Sequence, residues 1–252
     1  MVQDFRGINF NFYFNGPVKD GKMKANYREE RNRALDKRKW IIVPDAMPML
    51  ALGIALTLII YFWLGFPWAF IPFLFVIFTL YFFRNPERCV ECKAEDVVSP
   101  ADGVILAVEE VREDRFLNGP AVKVSIFLNI FNVHVNRSPI AGKVAYVFYQ
   151  AGKFLPAFKG HASHLNERNY VGIVSENNPR NRVLVVQITG FIARRIVCWV
   201  KEGEVLQQGE RFGLIKFGSC TEVYLPKGSH IFVQKGQKVR GGETIIGRFY
   251  NE

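Results

Sequence analysis

Residues 214–223 read Leu-Ile-Lys-Phe-Gly-Ser-Cys-Thr-Glu-Val, so that two apolar, strand-like runs flank a Gly-Ser pair. Gly218 lets the backbone bend freely just before Ser219, because glycine has no Cβ. A serine in this place is either an ordinary turn residue or a nucleophile held on a strained bend. The flanking runs indicate a β structure, and the surrounding chain has to decide between the two interpretations.

Residues 84–252 continue in the same style, with short β-branched and aromatic runs separated by Gly, Pro, Asn and Asp. Helical periodicity is weak, and one helix or ordered loop is expected at 153–168. We therefore predict a mainly β fold, a compact antiparallel sandwich or barrel-like domain with lipoyl-like hairpins such as 235–245. The predicted strands are 103–111, 121–128, 142–150, 183–189, 194–200, 211–217, 221–225, 230–234 and 244–249. The lysine tripeptide that a lipoyl or biotinyl carrier needs at its hairpin tip is missing, which disfavours a carrier domain.

An uncharged segment precedes this domain, since residues 46–83 contain no charged side chain over 38 positions. A helix needs about 20 apolar residues to cross the bilayer core, so the segment predicts two helices, 46–64 and 68–83. Basic residues on both flanks put both ends in the cytoplasm, which indicates a hairpin, either spanning or re-entrant. The chain is thus divided into a basic N-terminal extension, 1–44, a membrane helical hairpin, 45–83, and a β catalytic domain, 84–252.

The net charge of +10 indicates an anionic partner, either a nucleic acid or an acidic membrane surface. The basic residues cluster beside the apolar segment, and no basic-aromatic strand motif of single-strand binders is present, so we expect a membrane and no nucleic acid. Four scattered cysteines indicate a reducing compartment rather than a disulfide framework. A lone Cys89-x-x-Cys92 pair, and His161 with His164 and Glu167, are weak metal candidates, and we predict no metal site.

Three polar residues of the β domain could act together. Asp102 lies in a Pro-Ala-Asp-Gly turn, where its carboxylate is either a turn former or a catalytic group. His134 lies between two valines, where an imidazole is either structural or a general base. Together with Ser219 they could form a Ser-His-Asp arrangement, which occurs on unrelated folds in any chain order.

Five stretches of the sequence resemble phosphatidylserine decarboxylases, in particular the short bacterial, archaeal-like form. They are Phe83–Arg88, Val98–Gly103, Phe131–Pro139, Asn166–Asn169 and Phe217–Cys220. Each is weak alone, but all five occur in the family's order and spacing, and the likeness runs from about residue 36 to the C-terminus. Two positions depart from the family pattern. Cys220 stands where the family has threonine, and Phe131 stands where longer members carry a further histidine.

The resemblance implies a proenzyme that makes its own cofactor from Ser219. The Ser219 hydroxyl would attack the carbonyl of Gly218, with His134 as base and Asp102 orienting it. The chain would split into residues 1–218 and 219–252, a heterodimer of its own products, and Ser219 would become a covalent pyruvoyl group (pyruvate). By the same resemblance, this group forms a Schiff base with phosphatidylserine, which then loses carbon dioxide to give phosphatidylethanolamine. His134 would return a proton to the reacting carbon.

The resemblance and the hairpin together imply an enzyme of the cytoplasmic membrane, with the catalytic domain on the cytoplasmic side. Its partners would be the membrane and the phospholipid substrate, and homo-oligomerisation is left open. Two other functions also stay open. One is decarboxylation of another serine lipid such as archaetidylserine, because the head group is shared. The other is a non-catalytic, membrane-anchored, lipoyl-like adaptor in which Ser219 is inert.

Overall fold

The computed structural model describes residues 40–88, 91–155, 165–190, 195–216 and 219–250. All of them belong to one compact unit, Asp36–Glu252. The predictions for the N-terminal extension up to residue 39, and those for Cys89, His161, His164 and Gly218, lie outside the described residues.

Two apolar helices, α1 (Met47–Leu64) and α2 (Phe66–Phe82), follow a short 3-10 turn. They meet at Gly65, whose φ of 83° lies in the left-handed region that glycine adopts at little cost. The second helix begins two residues earlier than predicted, because Pro67 falls in its first turn, where a missing N–H is tolerated. Residues Pro44–Leu64 have a mean hydropathy of 2.1, so by length and composition alone they suggest a membrane association.

The rest of the chain is built of strands, and the described structure is 43% strand and 20% helix, which confirms the predicted mainly β fold. The lipoyl-like character of its hairpins stays a prediction. The strands are β1 Asp96–Val98, β2 Gly103–Glu113, β3 Gly119–Leu128, β4 Val135–Arg137, β5 Gly142–Gln150, β6 Arg168–Val174, β7 Arg182–Thr189, β8 Arg195–Cys198, β9 Val205–Leu206, β10 Arg211–Lys216, β11 Ser219–Pro226, β12 His230–Ile231, β13 Lys238–Val239 and β14 Ile245–Arg248.

Eight of these strands form one curled antiparallel sheet, a half-barrel, in the order β13-β2-β3-β11-β7-β6-β5-β9. Two smaller sheets, β1-β14-β12 and β4-β10-β8, have three strands each. Both share the main hydrophobic core with the large sheet, since Ile246 of β14 and Phe212 of β10 pack in one cluster with its valines and isoleucines. The chain passes from the small sheet to the large one between Lys216 and Ser219, at the predicted cleavage site.

Five strands were not predicted from the sequence, namely β1, β4, β6, β9 and β13. The miss at β6 matters most, because this strand lies inside the large sheet between β5 and β7. Its residues are buried on both faces, so they show none of the alternation that marks a half-exposed strand. The helix or loop expected at 153–168 contains no helix among its described residues, where Lys153 and Asn166 instead form a β-bridge.

Candidate active site

Along the central strands of the large sheet, the core-facing side chains change from apolar to polar towards one end of the strands. Valines of β7 and β11 line the core, and the next core-facing residues are Gln187 and Thr221, which are paired across the two strands. The last pair is Thr189 and Ser219. All four are fully buried. Burying polar side chains costs free energy unless they are hydrogen-bonded, so this end of the core is built for something other than packing.

Ser219 begins β11 and is paired with Leu128 of β3 on one side and Thr189 of β7 on the other. Its side chain is completely buried, and its Oγ has no hydrogen-bond partner among the described residues. Leaving a buried hydroxyl unpaired costs about 1–3 kcal/mol. Such exceptions call for an explanation, and a catalytic role is one of the few available.

Strand β4 has contacts with the segments that carry the other two predicted residues. His134 directly precedes it, and the Nδ2 of Asn136 in the strand donates to Thr221 Oγ1 at 3.1 Å. His134 lies two residues before Asn136, and Ser219 lies two residues before Thr221, so this hydrogen bond joins the segments that contain them. The backbone N–H of Arg137 donates to the carbonyl of Pro100 at 2.9 Å, which ties the turn of Asp102 to the same strand.

His134 is fully buried and its environment favours the neutral imidazole. Burial, with a smaller contribution from the charge of Arg84, lowers its pKa to about 4, although the Asn132 carbonyl and the Asp102 charge act in the opposite direction. The ring Nδ1 lies 3.0 Å from the Asn132 carbonyl oxygen. A carbonyl only accepts, so Nδ1 carries the proton and Nε2 is the basic nitrogen. At neutral pH this side chain can accept a proton.

Asp102 is held mainly by an arginine that the sequence analysis did not single out. Arg88 donates through Nη1 to Oδ1 at 2.5 Å and through Nη2 to Oδ2 at 2.9 Å. The N–H of Gly241 donates to the same carboxylate at 2.8 Å. Within the described structure no hydrogen bond joins Asp102 to His134, so the carboxylate acts on the imidazole through its charge. A direct orienting role for Asp102 stays a prediction.

A series of hydrogen bonds between buried side-chain amides ends at the hydroxyl of Thr221. Asn169 Nδ2 donates to Gln187 Oε1 at 2.8 Å, and Gln187 Nε2 donates to Asn136 Oδ1 at 2.8 Å. Asn136 then donates to Thr221, so every donor points the same way and the Thr221 hydroxyl keeps its own proton to donate. Asn136 and Asn169 lie in two of the stretches quoted above. Gln187 and Thr221 were not singled out from the sequence, because neither belongs to a motif that indicates a site.

Comparison with known proteins identifies the family. Residues 75–247 match the family model of phosphatidylserine decarboxylase, which is more than half of the chain. The chain belongs to the phosphatidylserine decarboxylase family. A phosphatidylserine decarboxylase proenzyme of Carboxydothermus hydrogenoformans is 59% identical over 203 residues, 79% of this chain and 92% of that protein. Proenzymes of Symbiobacterium thermophilum and Syntrophus aciditrophicus are 46% and 44% identical, each over 84% of this chain and 98% and 100% of theirs.

Membership of the decarboxylase family makes this chain an enzyme, a lyase of phospholipid metabolism produced as a zymogen. It supports decarboxylation of phosphatidylserine as the reaction and implies proenzyme processing and a phospholipid substrate. The resemblance read from the sequence is thereby confirmed.

The two departures from the decarboxylase pattern have structural explanations. Cys220 lies on the opposite face of β11 from Ser219 and packs in an apolar cluster with Leu184 and Ile188. Burial, followed by the nearby charge of Glu222, raises the pKa of its thiol strongly, so it is neutral and is no rival nucleophile. The Phe131 side chain is 61% exposed, and it is the carbonyl of this residue that is used, as an acceptor for Arg84.

The metal candidates receive no support from the described part of the chain, in which no three His, Cys, Asp or Glu side chains are placed to hold an ion. Cys92 donates from Sγ to Gln208 Oε1 at 2.9 Å. Its predicted partner Cys89, and the pair His161 and His164, lie outside the described residues.

Proposed function

We propose that this chain converts phosphatidylserine to phosphatidylethanolamine and carbon dioxide, and that it does so with a pyruvoyl group made from its own Ser219. The observation that carries the proposal is the buried Ser219 Oγ without a hydrogen-bond partner among the described residues. A serine that is consumed to make a prosthetic group needs a reactive hydroxyl more than a stabilising hydrogen bond. The word proenzyme in the names of the similar proteins agrees with a chain that is processed.

The self-cleavage would use atoms of the chain alone until its last step. His134 Nε2 takes the proton of the Ser219 hydroxyl, whose oxygen attacks the carbonyl carbon of Gly218, and the peptide becomes an ester as the amide nitrogen is protonated. Removal of the Ser219 α-proton then expels the Gly218 carboxylate. The dehydroalanine that remains at 219 takes up water, releases ammonia and becomes the pyruvoyl group. The products are chains 1–218 and 219–252.

The sheet supports this proposal, because it would hold the two products together. The segment after the cleavage site supplies β11, which is paired on both sides in the middle of the large sheet. It also supplies β13, paired with β2, and β14, paired with β1. The small chain would therefore remain in place as half of a heterodimer.

The residues around position 219 fit a group with two carbonyl oxygens, which can only accept hydrogen bonds. Thr221 lies on the same face of β11, and its hydroxyl keeps a proton to donate. When present, the group supplies an electron-withdrawing carbonyl that binds the amine of the serine head group and accepts the electrons of the departing carboxylate. His134 would return a proton to the reacting carbon, and because burial keeps its pKa near 4 it would hold that proton only briefly.

We further propose that the segment 45–83 is a membrane hairpin that keeps the catalytic domain, 84–252, on the cytoplasmic side of the cell membrane. Most large apolar side chains of α1 and α2 are exposed, as expected for residues in contact with lipid. The basic residues on both flanks favour cytoplasmic ends. A substrate that stays in the bilayer would then reach the proposed active site next to the hairpin.

Intact-mass measurement of the purified chain tests the proposal. We expect two fragments divided between Gly218 and Ser219, with the smaller one lacking a free N-terminal amine, and release of carbon dioxide from phosphatidylserine vesicles. Ser219→Ala should stay whole and inactive. Cys220→Ala, which removes the neighbouring side chain on the other face, is the matched control and should still be cleaved. A wild-type chain that remains whole, or a Ser219→Ala chain that is cut, would refute the pyruvoyl mechanism.

A further inference from the structure

The last residue of α2 packs directly on His134. The rings of Phe82 and His134 have their centroids 4.2 Å apart, at an interplanar angle of 32°. Phe82 is completely buried, whereas Phe73 on the same helix is 46% exposed. Phe82 is therefore a residue of the protein interior, although it belongs to a helix whose other large side chains mostly face outward.

The chain on both sides of His134 rests on the same part of the hairpin. Val133 and Val135, which flank the histidine, pack in one cluster with residues at the base of the hairpin, which are Val43, Ala46, Leu50, Val76, Phe82 and Phe83. Leu214 of β10 belongs to this cluster as well. Strand β10 leads into the predicted cleavage site. The lower end of the hairpin therefore contacts both His134, the proposed general base, and the strand that precedes the bond to be broken.

Polar contacts fix this arrangement at its rim. Arg84 Nη2 donates to the Phe131 carbonyl at 2.7 Å, and Tyr81 Oη donates to the same oxygen at 3.3 Å. At the end of β10, the Lys216 ammonium lies 3.1 Å from the carboxylate of Asp45, just before α1. The turn before His134 is thus attached to the end of α2 and the residue after it, and the end of β10 is attached to the residue just before α1.

We propose that the base of the hairpin is a working part of the self-cleavage centre, in which Phe82 is a positioning residue that holds the His134 imidazole. The chain would then be unable to cleave itself efficiently with a hairpin that is present but not docked through Phe82. This inference rests on the function proposed above.

The physical basis is restriction of the ring and exclusion of water. A planar ring 4.2 Å away limits rotation of the imidazole, and misplacing a catalytic group by about 1 Å can cost on the order of a hundredfold in rate. The charged groups that act on His134 are Arg84 after α2 and Asp102 in the turn before β2, and they oppose each other. The ion pair of Lys216 and Asp45 also lies at the hairpin base. Burial is the largest influence on the pKa of His134, and Phe82 supplies part of it.

The test compares full-length chains synthesised in the presence of phospholipid vesicles and followed by pulse-chase as they split, at several pH values between about 5 and 8. The variants are Phe82→Ala, Phe82→Leu, and the matched control Phe73→Ala, which removes the same ring from the exposed side of α2. We expect wild type and Phe73→Ala to split at one rate that is flat over this range, because His134 titrates near 4. Phe82→Ala should be slower by roughly tenfold or more.

The pH profile separates positioning from a merely structural effect. Water admitted by Phe82→Ala should raise the His134 pKa from about 4 towards its ordinary 6.5, so cleavage should fall as the pH drops below neutrality. Phe82→Leu, which restores apolar bulk, should recover part of the rate and of the flat profile. A slow Phe82→Ala chain with an unshifted profile would make the residue structural only and overturn the inference.

The controls distinguish this inference from the function on which it rests. If wild type splits and Phe82→Ala splits equally fast at every pH, the inference alone is wrong. If wild type stays whole, the proposed self-cleavage is wrong and this inference falls with it.

Discussion

Ser219 stands at the start of a strand that is hydrogen-bonded on both sides within an eight-stranded sheet, whereas His134 precedes a three-residue strand at the edge of a three-stranded sheet. The backbone ladder of β11 continues over eight residues along β3. The contacts of the histidine include one between its ring and the Asn132 carbonyl, a hydrogen bond from the N–H of Ile215 to its own carbonyl at 3.2 Å, and the packing of the Phe82 ring. The proposed nucleophile therefore lies in a long backbone ladder, whereas the ring of the proposed base is packed by side chains from other parts of the chain.

This difference teaches where the centre is vulnerable. A long ladder of backbone hydrogen bonds does not depend on any single side chain, so β11 should tolerate substitutions on its outer face. The position of His134 depends on side chains from α2, from the segment after it and from β10. Substitutions at these remote places should alter the chemistry without touching Ser219.

The largest effect is expected from replacing His134, the proposed base. His134→Gln keeps much of the bulk but cannot take up a proton, so self-cleavage should slow by about a hundred- to ten-thousandfold. Pulse-chase of the newly made chain measures this rate. His230→Gln is the control, because His230 is an exposed residue beside Tyr250 and should leave the rate unchanged. Cleavage of His134→Gln at the wild-type rate would contradict the assigned role.

The second largest effect is expected from breaking the ion pair of Arg88 and Asp102. Asp102→Asn leaves Arg88, with a side chain only 7% exposed, without its main counter-charge. Losing one partner of a buried pair costs about 3–5 kcal/mol, and we expect the lower end because Glu243 lies 3.4 Å from Arg88 Nε. Chemical unfolding of the purified protein measures this. The double variant Asp102→Asn with Arg88→Met should lose less than the two single variants summed, and strict additivity would show that the pair is not coupled.

The link between the two regions is tested at Thr221. Thr221→Val has nearly the same shape but removes one of the two acceptors of Asn136 Nδ2, the Thr221 hydroxyl at 3.1 Å, and leaves the Pro100 carbonyl at 3.4 Å. We expect a loss of about 1 kcal/mol in unfolding free energy, together with slower self-cleavage, because the side-chain hydrogen bond between the strands of Asn136 and Thr221 is lost. Ser229→Ala is the control, since it removes a hydrogen bond to the Pro226 carbonyl in the turn after β11 and should lower stability without slowing cleavage. If both variants cleave at the same rate, the hydrogen-bonded amides do not affect self-cleavage.

The smallest effect is expected at Cys220, on the outer face of β11. Cys220→Thr restores the residue usual in the family and places a hydroxyl among Tyr170, Leu184 and Ile188. The buried hydroxyl should lower the unfolding free energy by about 1 kcal/mol, and the rate of self-cleavage should stay as in wild type. Mass spectrometry over a time course checks the rate. A marked slowing would show that both faces of β11 matter and would weaken the comparison drawn above.

Much of the architecture could be predicted because local pattern and local structure agree. The turn signals and alternating strands located most of the large sheet, including β11, and the uncharged segment located both helices. The failures share a cause. Strand β6 is buried on both faces, and β4 has only three residues, so neither shows a period of two long enough to be recognised. Strand β4 pairs with β10 from a distant part of the sequence, whereas β6 lies between β5 and β7, its neighbours along the chain.

The sequence alone determined which chemistry could occur, because the types of the reactive side chains and the glycine before Ser219 are local properties. Asp102, His134 and Ser219 could be named from their residue types and immediate surroundings. Only the tertiary structure decided what surrounds them: Arg88 on the carboxylate, Phe82 on the imidazole and the amide chain beneath Thr221. Burial, hydrogen-bond partners and the resulting pKa of a histidine depend on residues that are far away in the chain, and no local pattern contains them.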